Sequence, residues 1–160
     1  MYKILIVDDE PMIRMGIKNS MPWDELKIDE VFTASSGSEG LEIIREHKPD
    51  IMITDIFMSE MTGIELITAS KEIVPGLKTI VITGYDRFDY ARDCLRLHVE
   101  EFLLKPIDEE ELAATIKKQV STLSLMDAGV RAEGLKNQLN LEKHLRELAY
   151  GKLSEEKVEE

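Results

Sequence analysis

Three short, continuous apolar runs lie at residues 3–7 (KILIV), 51–54 (IMIT) and 79–82 (TIVI). They are rich in isoleucine and valine, which is typical of parallel strands that are covered on both faces. Two weaker runs with strand-like residues, near 29–34 and 100–104, favour positions nearer the edge of the same sheet. The apolar pattern therefore predicts five strands.

Segments of helical length follow these runs, with apolar residues at spacings of three and four. They extend from Met12 to Met21, Gly40 to His47, Gly63 to Ile73, Arg87 to Leu95 and Glu109 to Val120. Strand and helix thus alternate five times. This alternation predicts an α/β fold with a parallel sheet and helices on both faces, because right-handed helical crossovers join parallel neighbours.

The pattern changes after about residue 120, since no strand-like run follows and the remaining residues favour helix. We expect a domain at residues 1–122 and a helical linker or extension at 123–160, whose polar end we expect to be disordered. Within the extension, an apolar stripe favours a short coiled coil or a docking helix. The stripe consists of Leu141, Leu145 and Leu148.

Composition narrows the classes of function. The chain has 32 acidic residues against 20 lysines and arginines, a formal net charge of -12. Because nucleic-acid affinity rests largely on basic residues that displace counterions, we expect this segment not to bind nucleic acid. The single cysteine, Cys94, excludes an internal disulfide, and we expect a cytoplasmic protein. No apolar stretch approaches the roughly 20 residues of a membrane-spanning helix, so we expect no membrane association.

Acidic side chains follow two of the predicted central strands. Asp8 and Asp9 come after the first strand and Asp55 after the third, so their carboxylates should converge at one rim of a parallel sheet. Mg²⁺ offsets the repulsion within such a cluster and suits carboxylate oxygens together with a phosphate. Thr83 and Lys105, after the fourth and fifth strands, add a hydroxyl and a cationic donor. The set predicts a site at which a carboxylate accepts a phosphoryl group.

Each of these residues, taken singly, also has an ordinary structural explanation. Acidic residues after strands commonly cap the next helix, and a Lys-Pro pair commonly closes a strand. Suitable residues after four separate strands, in this order, favour the phosphoryl site over that explanation.

Four segments resemble the CheY-like receiver domains of two-component response regulators: ILIVDDEP, DIMITDIFMSEMTGIEL, TIVITGYDRF and EEFLLKPI, in this order. The resemblance covers residues 1–120 and implies a doubly wound, flavodoxin-like parallel sheet with strand order 2-1-3-4-5. It also implies that Asp55 accepts a phosphoryl group from a sensor histidine kinase. Mg²⁺ would be bound by Asp8, Asp9, Asp55 and the main-chain carbonyl of Phe57.

The same resemblance implies how the site works. Thr83 and Lys105 contact the phosphoryl group, and the switch draws Thr83 toward it while Phe102 turns inward. The surface formed by the fourth helix, fifth strand and fifth helix then changes. No enzymatic activity is implied beyond self-catalysed phosphotransfer to Asp55 and hydrolysis from it. Ser59 departs from the family pattern, which usually has proline there.

The stretches MPWDEL at 21–26 and GYDRFDYA at 84–91 resemble receivers that precede AraC-type (YesN-like) DNA-binding domains. This implies that the natural protein continues past Glu160 into a helix-turn-helix region that binds DNA and regulates transcription. A homodimer is expected through the helical extension or through the face of the fourth helix, fifth strand and fifth helix.

Two alternatives remain. A phosphatase of the haloacid dehalogenase type also uses a strand-end aspartate with Mg²⁺, but that class wants a second acid where Phe57 stands. A pseudo-receiver would be a constitutive interaction module whose extension sets dimerisation. The presence of all five site residues argues against it.

Overall fold

The computed structural model describes residues 1–84 and 88–128 of the chain. The strands are β1 (Tyr2–Val7), β2 (Ile28–Ala34), β3 (Ile51–Thr54), β4 (Lys78–Thr83) and β5 (Glu101–Leu104). The helices are α1 (Pro11–Ser20), α2 (Gly37–His47), α3 (Gly63–Ile73), α4 (Phe88–Arg96) and α5, which is described over 109–128. The predicted alternation of strand and helix is confirmed, and every strand lies within one residue of its predicted bounds.

All five strands are parallel, in the order β2-β1-β3-β4-β5. This is the predicted flavodoxin-like order. The two strands with the weaker apolar pattern, β2 and β5, are the two edges of the sheet, as their composition indicated. All four residues of β3 are buried, whereas none of the four in β5 is. The apolar pattern therefore predicted how deeply each strand is buried as well as where the strands form.

Buried side chains cover both faces of this sheet. One cluster includes Leu5 and Val7 of β1 and Leu66 of α3. The alternate residues Ile4 and Ile6 are also buried and point to the opposite face, because side chains alternate along a strand. The sheet is thus covered on both sides, as expected for a doubly wound fold.

Capping residues set where two of the helices begin. The Ser36 hydroxyl accepts the N–H of Glu39 at 3.1 Å, so α2 begins at Gly37, three residues before the predicted Gly40. The Thr62 hydroxyl accepts the N–H of Glu65 at 3.2 Å, and α3 begins at Gly63 as predicted. Apolar periodicity located the helices, whereas a single cap hydrogen bond fixed their first residues.

Helix α5 differs from its prediction at the other end. The sequence pattern ended it at Val120, but the helix continues to residue 128. No proline or glycine interrupts residues 121–128, so the loss of apolar periodicity marked a change of burial and not a helix end. By their contacts the residues divide into the units Met1–Val120 and Ser121–Glu160. The predicted apolar stripe and disordered end of the extension lie outside the described residues.

Among the helices of residues 1–84 and 88–128, none is both long enough and apolar enough to cross a bilayer.

Cys94 is 2% exposed and belongs to the buried cluster, so it is a core thiol. Burial, with a smaller contribution from the charge of Asp93, raises the pKa of this thiol to about 11. We expect Ellman's reagent to react slowly with the native protein at neutral pH and rapidly in urea, because the thiolate is the reactive form. With a single cysteine, absorbance reports Cys94 alone.

The raised pKa also gives a sign for the pH dependence of stability. The folded state favours the neutral thiol, so its contribution is present below the pKa of the unfolded chain and is lost as pH rises toward about 11. Equally fast labelling of native and urea-unfolded protein at neutral pH would contradict the buried placement.

Candidate functional site

Lys105 lies among carboxylates at the carboxyl ends of the strands. Its Nζ is 2.9 Å from Asp55 Oδ2, 3.3 Å from Asp8 Oδ2 and 3.5 Å from Glu10 Oε1. The side chains of Asp55 and Asp8 are 7% and 5% exposed, whereas that of Glu10 is 61% exposed. One ammonium group therefore serves two buried acids and one exposed acid.

Parallel pairing places these residues side by side. Val7 pairs with Thr54, so the next residue of each strand, Asp8 and Asp55, follows at the same level of the sheet. Main-chain hydrogen bonds continue the pairing past the strand ends. They run from Asp55 N–H to Val7 O (3.2 Å), from Asp8 N–H to Ala34 O (3.2 Å) and from Lys105 N–H to Thr83 O (2.9 Å). The strand register thus fixes the backbone of all three charged residues.

The carboxylate of Asp55 is oriented by two different sets of donors. Oδ1 accepts the main-chain N–H of Ile56 at 2.7 Å and, more weakly, that of Phe57 at 3.4 Å. Oδ2 accepts a hydrogen bond from Lys105 Nζ at 2.9 Å. The main chain therefore holds one oxygen, and the other faces the neighbouring charged side chains.

The charges of the cluster act on each other in opposite directions. Burial raises the pKa of Asp8, and the hydrogen bond from the Glu10 N–H and the charge of Lys105 offset part of that rise. Burial alone would lower the pKa of Lys105, but hydrogen bonds and charges from Asp55 and Asp8 outweigh it and raise that pKa. Lys105 is therefore a cation at neutral pH.

Four acidic side chains could hold a metal ion. Ligand oxygens of Asp8, Asp9, Glu10 and Asp55 all lie within 4.8 Å of one another. A set of hard carboxylate oxygens, two of them on exposed residues, suits Mg²⁺, which usually keeps several waters. The structure brings the three predicted carboxylates together and adds Glu10. Sequence reasoning missed Glu10, although its place directly after two aspartates was the available signal.

Thr83, Phe57 and Phe102 have different surroundings. Thr83 ends β4, is fully buried, and accepts the Lys105 N–H through its carbonyl. Phe57 follows Asp55 by two residues and donates its N–H to that carboxylate. Phe102 pairs with Val81 and packs, half-buried, against the main cluster. Three predicted roles remain predictions: contact of Thr83 with the phosphoryl group, Mg²⁺ binding by the Phe57 carbonyl, and the switch that involves Thr83 and Phe102.

The loop from Asp55 to Gly63 closes tightly on itself. Met61 donates its N–H to Ser59 O at 2.9 Å across Glu60, whose φ is 72°, so a three-residue turn occupies the place where the family pattern has proline. Gly63 then donates its N–H to Ile56 O at 2.7 Å.

Gly63 is a second residue that the sequence did not reveal. A Cβ at this position would overlap the Asp55 carbonyl oxygen and lie 2.9 Å from Ile56 Cα. Both neighbours are backbone atoms, so neither can move aside cheaply. Sequence reasoning treated Gly63 only as the first residue of a helix.

Comparison with known proteins gives a consistent family. Residues 4–117 match the family model described as the response regulator receiver domain. An uncharacterized response regulatory protein of Staphylococcus epidermidis is 38% identical over 112 residues, which are 70% of this chain and 44% of that protein. The transcriptional regulatory protein HptR of Staphylococcus aureus is 35% identical over 123 residues, 77% of this chain and 48% of HptR. The chain spans about half the length of these curated relatives.

Solved structures agree with this match. The REC domain of AraT, a response regulator from Geobacillus stearothermophilus, has 39% identity and a TM-score of 0.74, covering 79% of this chain and 98% of that one. A two component transcriptional regulator AraC from Clostridium phytofermentans has 30% identity and a TM-score of 0.75, covering 80% and 99%. The described fold is therefore shared along nearly the whole length of both neighbours.

The contact at Gly63 predicts that Gly63→Ala destabilises the protein. Overpacking against immobile backbone should lower the free energy of unfolding by about 1–3 kcal/mol. Gly16→Ala is the matched control, because a Cβ there meets nothing within 4 Å. In the middle of α1 it should raise the free energy of unfolding by up to about 1 kcal/mol. Urea unfolding measures both, and equal effects of the two substitutions would show that the loop does not require glycine.

Proposed function

Because the chain belongs to the response regulator receiver domain family, we propose that it accepts a phosphoryl group from a sensor histidine kinase on Asp55, with Mg²⁺ as cofactor. The observation that carries the proposal is the 2.9 Å contact between Lys105 Nζ and Asp55 Oδ2, beside a cluster of three further acids. A nucleophilic carboxylate, a cationic donor and a cation site thus lie within reach of one phosphoryl group.

The proposal gives different tasks to the two oxygens of Asp55. Oδ1 is held by the main chain, so Oδ2 is the oxygen that attacks phosphorus. A phosphorus–oxygen bond forms at Asp55 as the phosphorus–nitrogen bond to the kinase histidine breaks, and the electron pair of that bond stays with the imidazole. Lys105 donates to the negative charge on the transferred group.

The cation site fits Mg²⁺ by its donor set. Asp8, Asp9, Asp55 and the main-chain carbonyl of Phe57 would hold the ion, which neutralises charge on the phosphoryl oxygens when it is bound. The exposed Glu10 carboxylate lies 3.5 Å from Lys105 and offsets part of the positive charge of the lysine from the solvent side. The only catalysis proposed is self-catalysed phosphotransfer to Asp55 and hydrolysis from it.

The switch proposed for this site involves Thr83 and Phe102. The phosphoryl group carries close to two negative charges at a buried position, which stabilises a packing with more donors near Asp55. Thr83 ends the strand next to Lys105, so its hydroxyl is the proposed additional donor. Phe102 of β5 pairs with Val81, which lies on β4 together with Thr83. Phe102 would take up the space that Thr83 leaves.

The proposed output is transcription. HptR is a transcriptional regulatory protein, and the Clostridium phytofermentans neighbour is a two component transcriptional regulator AraC. We therefore propose a receiver at residues 1–122 and a linker at 123–160 that belong with an AraC-type (YesN-like) DNA-binding region. The net charge of -12 argues against DNA binding by this segment itself. A cytoplasmic location and a homodimer, through the extension or through the face of α4, β5 and α5, complete the proposal.

The phosphatase alternative lacks its second acid, since Phe57 occupies that position. A pseudo-receiver makes a different prediction from the leading proposal, because it would not be labelled by a phosphodonor.

Phosphorylation is tested by intact mass after incubation with MgCl₂ and acetyl phosphate. We expect the parent to gain one phosphoryl group and Asp55→Asn to gain none, because the amide cannot act as the nucleophile. Asp24→Asn, on an exposed loop residue, has the same charge change and should be labelled like the parent. An unlabelled parent would favour the pseudo-receiver, and labelling of Asp55→Asn would place the acceptor elsewhere. Light scattering of the same samples tests whether phosphorylation drives dimerisation.

Magnesium binding is tested by isothermal titration calorimetry of the metal-free protein. Asp8→Asn should weaken binding by more than about tenfold, since even the loss of an outer-sphere partner typically costs about 10–100-fold. Asp24→Asn should bind as the parent does. If Asp8→Asn binds Mg²⁺ as tightly as the parent, Asp8 is not a ligand of the ion.

A further inference from the structure

Arg14 of α1 contacts the backbone of the acidic cluster from the outside. Its Nη1 donates to the main-chain carbonyl oxygen of Asp8 at 2.7 Å. That oxygen belongs to the peptide group that joins Asp8 to Asp9. The guanidinium therefore fixes the plane of the peptide from which the second acid emerges.

The other sides of Asp8 are held by different partners. Its N–H donates to Ala34 O at 3.2 Å, its Oδ1 accepts the Glu10 N–H at 2.9 Å, and its Oδ2 lies 3.3 Å from Lys105 Nζ. These contacts fix the backbone before Asp8 and the Asp8 side chain. Asp9 is exposed, and its direction depends on the peptide that Arg14 contacts.

The charge of Arg14 acts on Glu39, in the first turn of α2. The Ser35 hydroxyl and N–H donate to the Glu39 carboxylate at 2.8 and 3.1 Å. These hydrogen bonds lower the pKa of Glu39, and the charge of Arg14 adds to that effect. The Arg14 N–H also donates to Glu10 O at 3.1 Å. A planar guanidinium aims its N–H groups at such a carbonyl in fixed directions, whereas a lysine ammonium gives less directional control.

We propose that Arg14 is a positioning residue for the cation site: by fixing the Asp8–Asp9 peptide it directs the Asp9 carboxylate toward Asp8 and Asp55. This rests on the proposed function, because it concerns the Mg²⁺ that phosphoryl transfer requires. The sign of its effect separates positioning from simple charge. A nearby cation repels a second cation, so charge alone would make Arg14 weaken Mg²⁺ binding, whereas positioning strengthens it.

The test uses Arg14→Met and Arg14→Lys, with Arg45→Met on the exposed face of α2 as the control for net charge. By calorimetry, both Arg14 variants should bind Mg²⁺ about tenfold more weakly than the parent, because loss of an outer-sphere partner typically costs about 10–100-fold. Arg45→Met should bind like the parent. Weakening in Arg14→Lys is informative because that variant keeps the charge.

A second readout does not depend on Mg²⁺. In metal-free protein, NMR hydrogen exchange of the Glu10 amide, which donates to Asp8 Oδ1, should be about tenfold faster in Arg14→Met and unchanged in Arg45→Met. Urea unfolding measures global stability, so that exchange through complete unfolding is separated from local loosening.

Unchanged Glu10 exchange in Arg14→Met would overturn the proposal, and so would Mg²⁺ binding as tight as in the parent or tighter. Lower global stability with unchanged Mg²⁺ affinity would show a merely structural role. If the parent neither binds Mg²⁺ nor accepts a phosphoryl group, the proposed function fails. The exchange measurement then still decides whether Arg14 fixes this peptide.

Discussion

Repulsion between two buried carboxylates is the constraint on which the site depends. Asp8 and Asp55 are both nearly inaccessible and lie at adjacent strand ends, and burying an unpaired ion costs several kcal/mol. Lys105 offsets this cost for both acids at once, with its ammonium 3.3 and 2.9 Å from their oxygens. A cation or a phosphoryl group that enters the cluster must therefore change the contacts of Lys105 with Asp8 and Asp55.

The order of the strands makes this sharing possible. Lys105 follows β5, two strands away from β3, so its backbone lies about 10 Å from that of Asp55. A lysine is long enough to span the intervening strand β4. The residue that follows β4 is Gly84, and a Cβ there would lie 4.0 Å from Lys105 Cδ. The aliphatic stem thus runs over the end of β4, and the Lys105 N–H to Thr83 O bond holds its base.

Strands and helices could be predicted because each leaves a pattern in its own stretch of sequence. Contacts between a residue and main-chain atoms elsewhere in the chain could not be predicted. Apolar runs located all five strands and even the two edges, because burial on both faces leaves a direct mark on composition. The acids and Lys105 could be placed because parallel strands end at one rim. Gly63 and Arg14 could not, since their partners are main-chain atoms of Asp55, Ile56 and Asp8, which carry no residue-type signal. The end of α5 was missed for another reason: the helix continues beyond the residues whose apolar side chains are buried.

The same lysine links charge at Asp55 to the edge of the sheet. It follows Leu104 directly, and Leu104 pairs with Thr83 while Phe102 pairs with Val81. If Asp55 carries a phosphoryl group, the added negative charge attracts both Lys105 and Thr83. Thr83 is the last residue of β4, and Lys105 directly follows β5. Any displacement there acts on β5 through the four residue pairs that join it to β4. Leu104 is 46% exposed and Leu95 of α4 is 75% exposed, so a repacking of this edge would change an apolar surface that is already accessible. The site and this apolar edge are therefore joined directly, because the strand that Lys105 follows is itself an edge of the sheet.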